Sequence, residues 1–182
     1  RHTPFQVTLH LDADTLPLVD PSTLLELATY APVVVLPTRK EMNEERVQNM
    51  YAFCEAAKFE WKPGNTLPVN TGVMAYRKDA PLMEAALQLA IRGATAHRIA
   101  DELAMQALYP SYPHVLVDDS WNFSPIYGTS ETVRIWHSPG GRMTLGKLRK
   151  PWLEAFREAW EHDAGGMQAW GGEEAKRWLG QT

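Results

Sequence analysis

Two aspartates one residue apart, Asp12 and Asp14, follow an alternating apolar segment in Leu9-His10-Leu11-Asp12-Ala13-Asp14-Thr15. Carboxylate oxygens are hard ligands, so a pair on one turn suits Mg²⁺ or Mn²⁺, and either ion can hold and neutralise a diphosphate. Two acids solvated on a loop have the same spacing. A second polar group, Asn70-Thr71-Gly72, interrupts an apolar run, where the glycine permits close approach of backbone and ligand; a turn or bulge explains its composition equally. Asp101 and Glu102 open a helical segment, where acids complement the N-terminal dipole. A carboxylate such as Glu102 can also act as a nucleophile or a general base. His137 closes an apolar stretch before Ser138-Pro139-Gly140-Gly141. An imidazole nitrogen beside two carboxylates suits Mn²⁺, whereas without them it is an ordinary loop histidine. His2, His10, His97, His114 and His162 have no comparable setting.

The surrounding elements read as strands and helices in alternation. Gln6–Leu11 alternates, with Val7, Leu9 and Leu11 on one side, which predicts a strand ending at the acidic pair. Leu16–Val19 continues extended, and Asp20-Pro21-Ser22 predicts a helix start over Thr23–Tyr30. Val33–Leu36 is wholly apolar, as in a strand buried on both faces. Glu44–Lys58, Pro81–Arg92 and Ala100–Leu108 each carry one apolar stripe at helical spacing. Pro63-Gly64-Asn65 marks a turn, and Val69–Tyr76, His114–Val117 and Thr132–Trp136 predict further strands, the last delivering His137 into its loop. Pro151–Trp160 and Glu173–Leu179 predict a helical tail over residues 151–182. The expectation is an α/β sheet flanked by helices in a single domain, residues 1–182.

Composition narrows the partners. With 182 residues, 45% hydrophobic and 22% charged, the chain can bury a sizeable core, which excludes disorder as its main state. Eighteen basic and 22 acidic residues give a net charge of −4, with no basic run of the kind a duplex-binding module uses. One cysteine, Cys54, cannot form an internal disulfide, and no apolar stretch approaches the roughly 20 residues of a membrane span. A cytoplasmic, soluble protein is expected. The chain begins at Arg1, without a signal-peptide series, so residues upstream are expected to be missing. Seven tryptophans suit sugar or base stacking as well as core filling, and only Trp121 stands beside a motif. The basic cluster Arg142, Lys147, Arg149 and Lys150 suits an anionic ligand or a solvated loop.

The segment Leu11-Asp12-Ala13-Asp14-Thr15-Leu16-Pro17-Leu18-Val19-Asp20 resembles the metal-binding strand, with its DXD motif, of GT-A nucleotide-sugar glycosyltransferases. The likeness is to the family of glycogenin and the bacterial lipopolysaccharide galactosyltransferases. Three further pieces follow in the family's order. Asn70-Thr71-Gly72-Val73-Met74 resembles its Asn-Ala-Gly-Val-Met, and Asp101-Glu102 its Asp-Gln. Trp121-Asn122 and Ile135-Trp136-His137-Ser138-Pro139-Gly140 resemble its Trp-Asn and terminal His-Phe-x-Gly. The order of four motifs is more specific than any one of them, and the resemblance covers about residues 7–142.

The resemblance implies a GT-A, Rossmann-like mixed sheet and transfer of a sugar from a nucleoside-diphosphate donor, a UDP-sugar by family expectation, to a hydroxyl acceptor with retention. It implies metal binding by Asp12, Asp14 and His137, with Asp12 also near the donor. Asn70, Thr71, Gly72, Trp121 and Asn122 would serve the donor, Asp101 and Glu102 the reacting sugar, and Gly140 with Arg142 or Lys150 the diphosphate.

Three departures accompany it. Glu102 stands where the family has Gln, so a nucleophile or the base of an inverting enzyme enters consideration. Met143 stands where the family has Lys, and Lys150-Pro151-Trp152 arrives late. The family's nucleotide-binding half precedes its Asp-x-Asp, whereas this chain reaches its strand at Gln6; omission of the N-terminal strands is the expectation. The acceptor is open among glycan, protein, lipid and modified DNA, as is the oligomeric state. A metal-dependent nucleotidyltransferase would differ by releasing pyrophosphate, and a non-catalytic scaffold would release nothing.

Overall fold

Three β-branched residues in succession form strand β3 (Val33–Val35), and all three are buried. The computed structural model describes residues 5–36, 42–62, 67–124 and 132–137. In it β3 lies inside a four-stranded sheet of order β1 (Val7–Leu11), β4 (Val73–Arg77), β3, β5 (Val115–Val117). Strand β4 is antiparallel to β1 and β3, and β3 is parallel to β5. Side-chain alternation explains burial on both faces. Val33 and Val35 join Val73, Ala75, Leu24 and Ala28 beneath α1 (Ser22–Ala28). Val34 turns the other way, onto a core built with Met50, Phe53, Leu82, Leu89 and Leu103 from α2 (Glu44–Ala56), α3 (Pro81–Gly93) and α4 (Ala100–Leu108). A mixed sheet with helices on both faces is the α/β architecture that the sequence predicts.

A second, two-stranded sheet pairs β2 (Thr15–Pro17) with β6 (Ile135–His137). Here the boundaries differ from expectation. His137 is not delivered into a loop but is the last residue of β6, opposite Thr15, because its N–H is held by the Phe123 carbonyl at 2.8 Å. The extended piece expected over 16–19 is β2, with Leu18 still bonded to the Arg134 carbonyl. The strand expected from Val69 starts at Val73, leaving residues 69–72 to loop. Helix α2 stops at Ala56 rather than Lys58, since Lys58 adopts a left-handed backbone with φ 51°.

Asn43 caps α2 by accepting from the Arg46 N–H, which anchors the helix start beside α4. Cys54 is buried on α2 and burial pushes its thiol up to about 11. Among the described residues no helix is long and apolar enough to cross a membrane. The turn at 63–65 and the helices expected over 151–160 and 173–179 lie outside the described residues.

Candidate functional site

Strand register brings the acidic pair and the Asn70 loop together. Leu11 pairs with Val73, so the chain leaving β1 runs beside the chain entering β4, and the Asp12 N–H donates to the Gly72 carbonyl at 2.8 Å. Thr15 then closes the turn, its N–H and hydroxyl both donating to the Asp12 carbonyl at 3.0 and 2.7 Å. The Thr15–His137 pairing of β2 and β6 sets the imidazole alongside that turn. His137 Nε2 lies 3.3 Å from Asp14 Oδ1 and 3.6 Å from Asp12 Oδ2. One ligand atom from each of the three residues falls within 4.8 Å of the others.

Two carboxylates and one imidazole form a donor set that could hold Mn²⁺ or Mg²⁺. The Asp12 and Asp14 side chains are 45% and 40% exposed and the His137 side chain 3%, so the cluster is open on its acidic side and walled behind the ring. Burial lowers the His137 pKa below the ordinary histidine value, against the upward pull of Asp14 and Asp12. The ring is thus neutral near pH 7, with one nitrogen lone pair free to bind. His10, which its sequence setting left aside, also reaches the cluster, with Nε2 3.2 Å from Asp12 Oδ1. The period-2 alternation of β1 continued to Asp12 carries the signal for that contact.

Behind the imidazole runs a chain of polar side chains. His137 Nδ1 meets Asn122 Oδ1 at 2.6 Å, and Asn122 Nδ2 donates to Asn70 Oδ1 at 2.8 Å. The same Asn70 oxygen accepts the Gly72 N–H at 2.9 Å, while Asn70 Nδ2 donates to Glu102 Oε2 at 2.9 Å. Glu102 Oε1 accepts from Arg46 Nη1. Arg46 also donates to Gln106 Oε1, at 2.6 and 2.9 Å, and to the Val69 carbonyl at 3.1 Å. Burial raises the Glu102 pKa above the ordinary carboxylate value, and the Arg46 guanidinium opposes that rise. Asp101, in the same first turn of α4, accepts from the Thr71 hydroxyl at 3.1 Å.

Asp12, Asp14, Asn70, Thr71, Gly72, Asp101, Glu102, Asn122 and His137 therefore belong to one connected cluster. Trp121 does not. It packs into the core beneath α1, with the Arg134 guanidinium 4.9 Å from its ring centroid. Gly140, Arg142 and Lys150 lie outside the described residues. Sequence reasoning missed Arg46 and Gln106. A signal for Gln106 existed: it is a polar residue four after Glu102 on an otherwise apolar helix, hence on the same face.

Gly72 is required by the ring itself. A Cβ there would sit 2.2 Å from His137 Cε1 and 2.9 Å from Asn70 Oδ1. Gly72→Ala is expected to displace the ring or the loop, costing about 1–3 kcal/mol of stability and at least about tenfold in Mn²⁺ affinity. Urea unfolding and a Mn²⁺ titration check the two effects, and a variant unchanged in both would place the ring away from Gly72.

No protein-family model matches the chain, and no curated protein matches it in sequence. Solved structures do. The galactosyltransferase LgtC in complex with donor and acceptor sugar analogs is 14% identical, with a TM-score of 0.53 over 84% of this chain and 61% of that one. An active-site mutant of LgtC, carrying glutamate for glutamine, is 14% identical with a TM-score of 0.55, over 86% and 62%. The chain thus spans about three fifths of the length of those structures. At this identity the likeness establishes the architecture: a mixed α/β fold of the GT-A type.

Proposed function

We propose that this GT-A-like chain transfers a sugar from a nucleoside-diphosphate donor, a UDP-sugar, to a hydroxyl acceptor in a metal-dependent, retaining reaction. The observation that carries the reading is the convergence of Asp12, Asp14 and His137 within 4.8 Å, in a fold shared with a galactosyltransferase. Acceptors compatible with it are a glycan, a protein, a lipid or modified DNA.

Asp12, Asp14 and His137 would hold a divalent ion, which when bound supplies Lewis-acid stabilisation to the departing diphosphate. The Thr15 bonds to the Asp12 carbonyl hold the turn that aims both carboxylates, so the anionic oxygens are placed before ligand arrives. Asn70, Thr71 and Asp101 line the same end of the sheet and orient the sugar, and Gly72 leaves room for the His137 ring. Glu102 is committed on both oxygens, to Arg46 and to Asn70, which favours a positioning role over nucleophilic attack and accords with retention by another route. Asn122 supports the imidazole, while Trp121 packs into the core beneath α1. Arg142 or Lys150 would supply positive charge for the leaving diphosphate.

The test is product identity. The full-length protein with Mn²⁺ and a panel of nucleoside-diphosphate sugars should release the nucleoside diphosphate and deliver the sugar with its anomeric configuration kept. Release of pyrophosphate would instead make it a nucleotidyltransferase, and an inverted anomer would return Glu102 to consideration as a base.

A further inference from the structure

The chain from Arg46 to His137 has a direction that chemistry alone dictates. Asn70 sits between a group that can only donate, the Gly72 N–H at 2.9 Å, and the Glu102 carboxylate at 2.9 Å. Glu102 meets donors from Arg46 on α2, from Asn70 and from the Thr71 backbone, while its acidic neighbour Asp101 is engaged by the Thr71 hydroxyl. Its surroundings therefore accommodate the ionised, acceptor-only form. That fixes the Asn70 amide with Nδ2 toward Glu102 and Oδ1 toward Asn122. Asn122 Nδ2 then faces only acceptors, Asn70 Oδ1 at 2.8 Å and the Asn70 carbonyl at 3.5 Å. Its Oδ1 is left to face His137 Nδ1 at 2.6 Å, and an acceptor there requires that Nδ1 carry the proton.

We infer that Glu102 and Arg46 are positioning residues that set the tautomer of His137, through Asn70 and Asn122, so that its Nε2 lone pair faces Asp12 and Asp14. The inference rests on the metal site proposed above. It explains a need that the site itself creates. Asp14 and Asp12, 3.3 and 3.6 Å from Nε2, would otherwise draw the ring proton to that nitrogen and take the ligand atom out of use. The relay opposes them from the other side of the ring with a shorter bond. The partner of a ligating histidine's second nitrogen commonly determines which nitrogen can bind metal. Here that control extends two side chains further, to the partly buried Arg46–Glu102 ion pair between α2 and α4.

Glu102→Gln reverses the relay. With the new carbonyl held by Arg46, the amide NH₂ points at Asn70, Asn70 and Asn122 turn over in sequence at the expense of the Gly72 N–H bond to Asn70 Oδ1, and Nδ1 becomes an acceptor. Arg46→Met in the same chain releases that carbonyl to Asn70 and restores the original direction.

The experiment is long-range ¹H–¹⁵N correlation on full-length protein carrying ¹⁵N-histidine, free of metal, at a pH where His137 is neutral, followed by Mn²⁺ titration with electron paramagnetic resonance. Wild type should show the Nδ1–H tautomer. Glu102→Gln should shift His137 toward Nε2–H and weaken Mn²⁺ binding about tenfold or more. The double variant should regain both. A wild-type Nε2–H tautomer overturns the inference, and so does a natively folded Glu102→Gln protein with tautomer and Mn²⁺ affinity unchanged. A purely structural role would lower stability without moving the tautomer. The wild-type spectrum decides even where a variant fails to fold. Nδ1–H in a wild type that does not bind Mn²⁺ would uphold the relay and sink the metal site, so the two failures are distinct.

Discussion

Asp14→Asn is expected to lower metal-dependent sugar transfer by about 10²–10³-fold, the scale of losing one preorganised electrostatic contact to developing charge. The substitution keeps the shape of the side chain and removes its charge. A neutral amide oxygen is a poorer ligand for a hard cation, so the ion is held weakly and the charge left on the diphosphate is less compensated. The fold should survive, because the Asp14 side chain is 40% exposed and the turn is held by Thr15 bonding to the Asp12 carbonyl. Initial rates of transfer at rising Mn²⁺ concentration check this. Partial recovery at high Mn²⁺ would show weakened binding, and an undiminished rate at ordinary Mn²⁺ would remove Asp14 from the site.

Arg46→Met is expected to be the most damaging substitution for stability, costing about 3–5 kcal/mol, because it leaves a buried carboxylate without its counter-charge. Gln106 and the Val69 carbonyl lose a donor at the same time. The pH dependence has a definite sign. Burial already holds the Glu102 pKa above its ordinary value of 4.5, and loss of Arg46 raises it further. A carboxyl whose folded pKa exceeds its unfolded one favours the folded state below the unfolded value, and that contribution is lost as pH rises through the folded value. The variant should therefore be weakest near neutrality and gain stability on mild acidification toward about pH 4.5, against the usual course of acid denaturation. Adding Glu102→Gln should remove both the slope and much of the loss. Urea unfolding at several pH values measures these effects; a loss below about 1 kcal/mol with no such slope would mean that the pair is solvated, as exposed ion pairs are.

Local pattern carried much of this molecule and long-range contact carried the rest. Three consecutive valines predict a strand buried on both faces, and β3 has neighbours on each side of its sheet. The alternation of Val7, Leu9 and Leu11 likewise puts Asp12 at the end of β1, next to Gly72. Asp12, Asp14 and His137 could be paired only through the order of their motifs, since nothing in residues 12–14 reports the register that sets Thr15 against His137. That same ladder holds His137 in β6, where sequence pattern alone expected a loop. Arg46 was illegible for a related reason. It sits just before an apolar helical stripe, a usual place for a solvated cation, and its partners lie 56 and 60 residues away. Trp121 stood beside a motif yet turned into the core, where a large ring buries more apolar area than an open site offers.

Metal-dependent binding of a nucleoside diphosphate is the property on which the proposed function depends most directly. Calorimetric titration of UDP into the full-length protein, with and without Mn²⁺, measures it. The prediction is saturable binding with Mn²⁺ and little or none without it. Binding of equal strength in both, or no binding of UDP or any other nucleoside diphosphate with Mn²⁺ present, would contradict it.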